Sequence, residues 1–161
     1  MTFGPFPSDQ CWHIEKSDAY QKNQHKVKIS EFLLIKGKTI QIVEAKSSSP
    51  HPANREGFDK FIQDIQAIML SSFFLFLGVR LGRHEKNHAL DALSAAYKDI
   101  NLGTVQFIFI LVINGHKDPW LSPLRDALAD GLRDRLRPFG PPQSEIIVLN
   151  EELARNHQLI Q

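Results

Sequence analysis

Between Lys26 and Lys46 the chain is dense in β-branched and large apolar residues, split by the pair Gly37-Lys38, and this pattern predicts a β-hairpin. A two-residue loop with Gly first suits a type II′ turn, which pairs Lys36 with Thr39 and carries the register back through Ile35/Ile40 and Leu33/Ile42 to Glu31/Glu44. Because side chains alternate along a strand, Glu31, Glu44 and Lys46 share one face with the Ile/Leu residues, while Phe32, Leu34, Val43 and Ala45 take the other. From about Asn54 to Leu77, Phe58, Phe61, Ile62, Ile65, Ile68, Met69 and Phe73 recur at helical spacing. A second helix is expected from Ala89 to Ile100. Val105 to Ile113 is almost unbroken in its apolar character, as in a strand covered on both faces. Residues 114–119 read as a turn in which Asp118 caps a helix with Pro119 at its first position, followed by a stripe of Leu121, Leu124, Leu128, Leu132 and Leu136. Glu145 to Leu149 reads as a short strand and Asn150 as the cap of a last helix. Upstream, Cys11 to Lys16 suggests a short first strand or its entry, and Ser17 to Gln24 a loop or helical turn. The order predicts an α/β protein, a single domain over residues 1–161 whose mixed β-sheet contains an antiparallel hairpin and is flanked by helices.

The hairpin register opposes two like charges, which is destabilising unless a cation intervenes. Lys46 is one candidate for that cation and a divalent metal is the other. An acid on one strand followed by Glu-x-Lys on the next resembles the signature of the PD-(D/E)XK, or restriction-endonuclease-like, nuclease superfamily. The matching residues are Glu31 and Glu44-Ala45-Lys46; the first acid is Glu rather than Asp, and no Pro precedes it. The strand, strand, strand, helix, strand order over roughly residues 10–115 also matches the superfamily core, without a helix before the first strand, and leaves the helix-strand-helix of 118–161 as elaboration. The resemblance implies a nuclease that hydrolyses phosphodiester bonds of nucleic acid, DNA by the habit of the superfamily. It further implies that Glu31 and Glu44 hold one or two Mg²⁺ (or Mn²⁺) ions, and that Lys46 orients the attacking water and stabilises the pentavalent phosphate.

Elementary chemistry leads the same way. Mg²⁺ prefers hard oxygen ligands and keeps several waters, so two carboxylates on an open face suffice when a phosphate completes the shell. Against this stands a plainer account: one Glu-x-Lys is expected roughly by chance in a chain of this composition, and Glu44 with Lys46 can be a solvated ion pair. Glu15 is a candidate third carboxylate, or else a surface acid paired with Lys16 or Lys28. Lys26, Lys28 and Ser47, with Ser48, are candidate substrate contacts. Gln63 and Gln66 read as an exposed face of the helix after Lys46.

His84-Glu85-Lys86-Asn87-His88 is a literal H-E-x-x-H, which on a helix would bind zinc as in a metallopeptidase. Gly82-Arg83 before it, and Lys86-Asn87 where such helices are apolar, favour a polar connector with two surface histidines. The remaining histidines lack ligand spacing, and no phosphate-binding glycine loop occurs.

Composition narrows the field further. With 161 residues, 42% of them hydrophobic and 23% charged, the chain can build a core without disulfides or structural metal. The single Cys11 and the lack of a basic, then apolar, leader point to a reducing, cytoplasmic setting. The apolar stretch Ala67 to Val79 is too short to span a bilayer and reads as a buried helix, so no membrane partner is expected. Net charge is only +1, yet seven lysines face Asp18, Glu31 and Glu44 between Lys16 and Lys46, a local charge of +4 that suits either a phosphate backbone or a solvated surface. At this size, recognition of nucleic acid would come from the basic hairpin, a homodimer or a partner subunit. A nuclease-like interaction subunit without turnover is the reading of a different class.

Overall fold

A computed structural model of the protein describes residues 1–21, 27–84, 88–139 and 144–161. Its organisation starts from the two-residue turn. Gly37 has φ +61°, while Lys38 stays out of the left-handed region, as a type II′ turn requires. That turn joins β2 (Phe32–Lys36) to β3 (Thr39–Lys46) in the expected register, from Lys36 opposite Thr39 to Phe32 opposite Val43. A two-residue β1 (Cys11–Trp12) adds antiparallel to β2, with Cys11 opposite Leu34, and a single helical turn, α1 (Asp18–Gln21), follows it.

On the other side the sheet is parallel. β3 reaches β4 (Gln106–Ile113) by way of α2 (Arg55–Arg80), and β4 reaches β5 (Ser144–Leu149) by way of α4 (Leu121–Leu136), so five strands lie in sequence order. Parallel neighbours need such crossovers. Both crossover helices pack on one face, over Leu33, Ile35, Ile40, Ile42, Phe107, Phe109 and Leu111. The opposite face, with Phe32, Leu34, Val43, Ile110 and Val112, is covered by α5 (Glu151–Asn156) and by Phe3 and Phe6 near the start of the chain. The protein is thus α/β, a mixed sheet flanked by helices. Its C-terminal helix-strand-helix extends the same sheet.

α2 is the dominant core element. Asn54 caps it by accepting from the Gly57 N–H at 3.2 Å, and Phe73 and Phe76 reach Phe107 at the start of β4. Among the described residues it is the one helix long and apolar enough to cross a membrane by length and composition, and 56% of its most apolar window is buried. In α4 the five leucines of the predicted stripe are all buried, and Asn150 caps α5 by accepting from the Leu153 N–H at 2.9 Å.

Four expectations need correction. The first strand stops at Trp12, and Ile14–Lys16 forms a 3-10 turn because the buried Ile14 turns into the core. A single helix over Ala89–Ile100 does not form. Residues 88–92 are turns, and α3 (Ala95–Asp99) is short, since Ser94 donates its hydroxyl to the Asp9 carbonyl instead of capping and Lys98 reaches back to the Asp91 carbonyl. Asp118 opens a 3-10 turn (Asp118–Trp120) without capping it, because its carboxylate accepts from the Asn150 side chain. Gln66 is buried, not exposed, and donates to the Ala127 carbonyl of α4 at 3.3 Å; Gln63 is exposed as expected.

Candidate functional site

The hairpin carries Glu44 and Lys46 onto the face that α2 covers, two residues apart along β3. Lys46 Nζ lies 2.6 Å from Glu44 Oε1. The Glu44 side chain is only 4% exposed and that of Lys46 35%, so the carboxylate is sunk in the sheet while the ammonium reaches outward from it. Glu31 immediately precedes β2. The paired register ends at Phe32 opposite Val43, one position short of Glu31; the Glu31 N–H donates to that same Val43 carbonyl at 3.1 Å, and its charge reaches Glu44.

What anchors Glu31 is a contact with no signature in the sequence. The neighbouring Ser30 is fully buried, and its N–H donates to the Ser72 hydroxyl of α2 at 2.7 Å; that hydroxyl in turn donates to the Ile68 carbonyl at 2.9 Å. Ser72 therefore ties the entrance of β2 to the middle of α2, forty-two positions away.

Glu15 joins the group through the 3-10 turn rather than through a strand. It is exposed, and its charge acts on both Glu31 and Glu44. The Glu31 carboxyl is held above its usual range, first by burial and then by Glu15, while Lys46 and Lys16 oppose the shift. Burial pushes Glu44 further, to about 7, with Glu31 and Glu15 adding to it and the hydrogen bond and charge of Lys46 working against it. Three carboxylates and two lysines thus share one electrostatic neighbourhood. Lys16, the first of the seven lysines of the basic segment, adds its charge at Glu31.

Two carboxylates with hard oxygen donors, one buried and one exposed, fit a cation that keeps waters and accepts phosphate in its shell. Among the described residues no three His, Cys, Asp or Glu side chains converge closely enough to cage a metal by themselves. The donor set therefore suits Mg²⁺ or Mn²⁺ shared with a substrate, not a closed zinc centre.

Of the other candidates, Lys28 and Ser47 are exposed, flanking the group at the entrance to β2 and the exit from β3; Lys26 lies outside the described residues. His84 and His88 sit in a bend and a turn beyond the end of α2, not on a helix, and His84 Nε2 lies 3.0 Å from the Ala19 carbonyl; Glu85, Lys86 and Asn87 lie outside the described residues.

A second group lies at the C-terminal ends of the parallel strands and carried no motif. Past β3, the Ser49 hydroxyl meets the buried His116 ring at 3.3 Å from Nε2. His116, past β4, and His51, past β3, both pack edge-on with Trp120, at 5.4 and 5.0 Å between ring centroids, and Lys117 Nζ stands 5.3 Å over the Trp120 ring. Past β5, Asn150 donates to the His116 carbonyl at 3.3 Å. Neither a family model nor a curated protein nor a solved structure matches the chain.

Proposed function

We propose that the protein is a Mg²⁺- or Mn²⁺-dependent nuclease of restriction-endonuclease-like design that hydrolyses phosphodiester bonds of nucleic acid, DNA being the first substrate to test. The observation that carries the reading is Glu44, a nearly buried carboxylate with the Lys46 ammonium at 2.6 Å and the charges of Glu31 and Glu15 acting on it. Carboxylates gathered around a buried position are offset by a proton or by a cation, and the raised pKa of Glu44 marks that demand.

In this reading Glu31 and Glu44 hold the ion, which when bound acidifies a water and offsets charge on the phosphate. Lys46 sits where its ammonium can orient that water and hydrogen-bond a phosphoryl oxygen as negative charge accumulates. The hydrogen bond to Glu44 keeps the ammonium from swinging into solvent. Glu15, exposed on its turn, adds negative potential on the open side of the site. Lys16, Lys28 and Ser47 lie on the approach and suit contacts with flanking phosphates. A reducing compartment such as the cytoplasm fits the free Cys11.

The test is calorimetric titration of Mg²⁺ and Mn²⁺ into the purified protein, alongside cleavage of single- and double-stranded substrates. Metal binding with metal-dependent cleavage supports the reading. The same Glu44–Lys46 pair also suits an interaction subunit without turnover, because the ion pair satisfies both groups with no metal. A chain that binds nucleic acid but neither metal nor scissile phosphate would establish that alternative.

A further inference from the structure

Trp120 is half-buried, yet among the described residues it belongs to neither apolar core. Its ring is met edge-on by two imidazoles and carries an ammonium. A large indole usually gains its stability from aliphatic and aromatic contact in a core, so one packed against His51, His116 and Lys117 calls for another account. The surroundings are also held in place. His116 is gripped by Ser49 at its ring and by Asn150 at its carbonyl, and His51 Nδ1 accepts from the Ala53 N–H at 3.1 Å.

We propose that the Trp120 ring, edged by His51 and carrying Lys117, is a stacking platform for an unpaired nucleobase, with Lys117 leaving the ring to pair with the adjoining phosphate. The position favours this occupant. Lys46 pairs with Ile113, and the Asn114 N–H donates to the Lys46 carbonyl at 3.0 Å, so the loop bearing Trp120 departs from the strand end next to the candidate catalytic lysine. His51 follows Lys46 by five residues, a reach of at most about 18 Å. A polynucleotide whose phosphate lies at Lys46 would therefore bring a base one or two nucleotides away to Trp120. The chemistry is also that of a base site: an aromatic face attracts any base, and a lysine beside it offers a cation to the backbone. Bases inside a duplex are already stacked on one another, so the platform selects single strands or frayed ends. The inference rests on the nuclease reading for its choice of nucleic acid and adds the substrate class.

The experiment compares a fluorescein-labelled oligothymidylate with an abasic strand of equal length, by anisotropy, in Ca²⁺. Wild type should prefer the strand with bases by about tenfold. Trp120→Ala should bring that ratio close to one while leaving the abasic affinity unchanged, and Trp120→Phe should keep most of the preference. Lys117→Ala should weaken both strands alike. Because the readout is a ratio within each variant, partial loss of folded protein does not imitate the effect. An unchanged ratio in Trp120→Ala, or no preference in wild type, overturns the platform. Divalent-dependent cleavage and its dependence on Lys46 are measured separately, so the platform and the nuclease can fail independently: cleavage with no base preference sinks only the platform, and base preference without cleavage sinks only the enzyme.

Discussion

Glu44 and Lys46 differ most in how much water they keep, and that difference sets what each substitution does. Lys46→Ala should leave Mg²⁺ affinity intact or slightly improved, because a neighbouring cation competes with the metal for Glu44, while cleavage falls by about 10²-fold or more. If Lys46 is only a structural partner, the same change lowers thermal stability slightly and leaves any cleavage untouched. Glu44→Gln and Glu31→Gln should weaken metal binding and cleavage together. A pH dependence follows from the proton on Glu44. Its pKa is raised to about 7 in the folded chain, so the folded state holds that proton more tightly than the unfolded one does. Its contribution to stability is complete below the unfolded value and is lost as pH rises through about 7. Denaturation at pH 5 and pH 8 should register a fall of about 1–3 kcal/mol from this group, with Glu44→Gln abolishing it; Mg²⁺ affinity should rise over the same interval, since metal displaces the proton. The register from Lys36/Thr39 to Phe32/Val43, and with it the closeness of Glu44 and Lys46 on one face, was legible in the sequence because a two-residue turn sets register by itself. The depth of Glu44 was not, because it depends on α2 and β4, which lie beyond any local window.

Helix α2 holds the site in place, and two of its polar residues test how. Ser72→Ala removes the acceptor of a fully buried Ser30 N–H and should cost about 1–3 kcal/mol in chemical denaturation. In addition it should loosen Glu31 and reduce cleavage more than its stability loss explains. Gln66 lies against Gly131 of α4, where an added Cβ would come within 2.0 Å of its Nε2. Gly131→Ala should therefore destabilise the wild type by about 1–3 kcal/mol as Gln66 is forced from its bond to Ala127. In a Gln66→Ala background the same change should stabilise by about 0.5–1 kcal/mol, through helix propensity alone. The helical periods of α2 and the leucine stripe of α4 are strong enough to read without a structure. Gln66, like Gln63, reads as exposed until a second helix covers it, and Asp118 reads as a cap because its partner Asn150 is thirty-two positions downstream.

The mixed sheet distributes its chemistry unevenly between its ends. Lys46 ends β3, and the loops leaving the C-terminal ends of β3, β4 and β5 carry Ser49, His51, His116, Trp120 and Asn150, so these groups gather at one end of the parallel strands. α2 runs away from that end, and its Phe73 and Phe76 already meet Phe107 where β4 begins. The connector with His84 and His88 thus follows a helix that has left the site. Substituting both histidines with Ala should leave divalent-metal content and cleavage nearly unchanged, with only a small drop in melting temperature from the lost contact to Ala19; stoichiometric zinc that disappears in the double variant would instead favour a peptidase. The class of fold was readable from the alternation of strand and helix patterns. The loop group was not, since it is assembled from the two crossover connections and the loop after β5.

Residues 31–46 contain the turn and every group of the Glu31, Glu44 and Lys46 constellation, so the string can be excised as a short synthetic peptide. Such a peptide keeps the letters and loses α2 and β4, the walls that keep water from Glu44. Its Glu44 should titrate among ordinary carboxylates by NMR, and it should bind divalent ions no better than a scrambled control. A carboxylate held near neutrality is not portable with the motif that spells it; it belongs to a neighbouring strand sixty residues later in the chain and to the helix that brings that strand back.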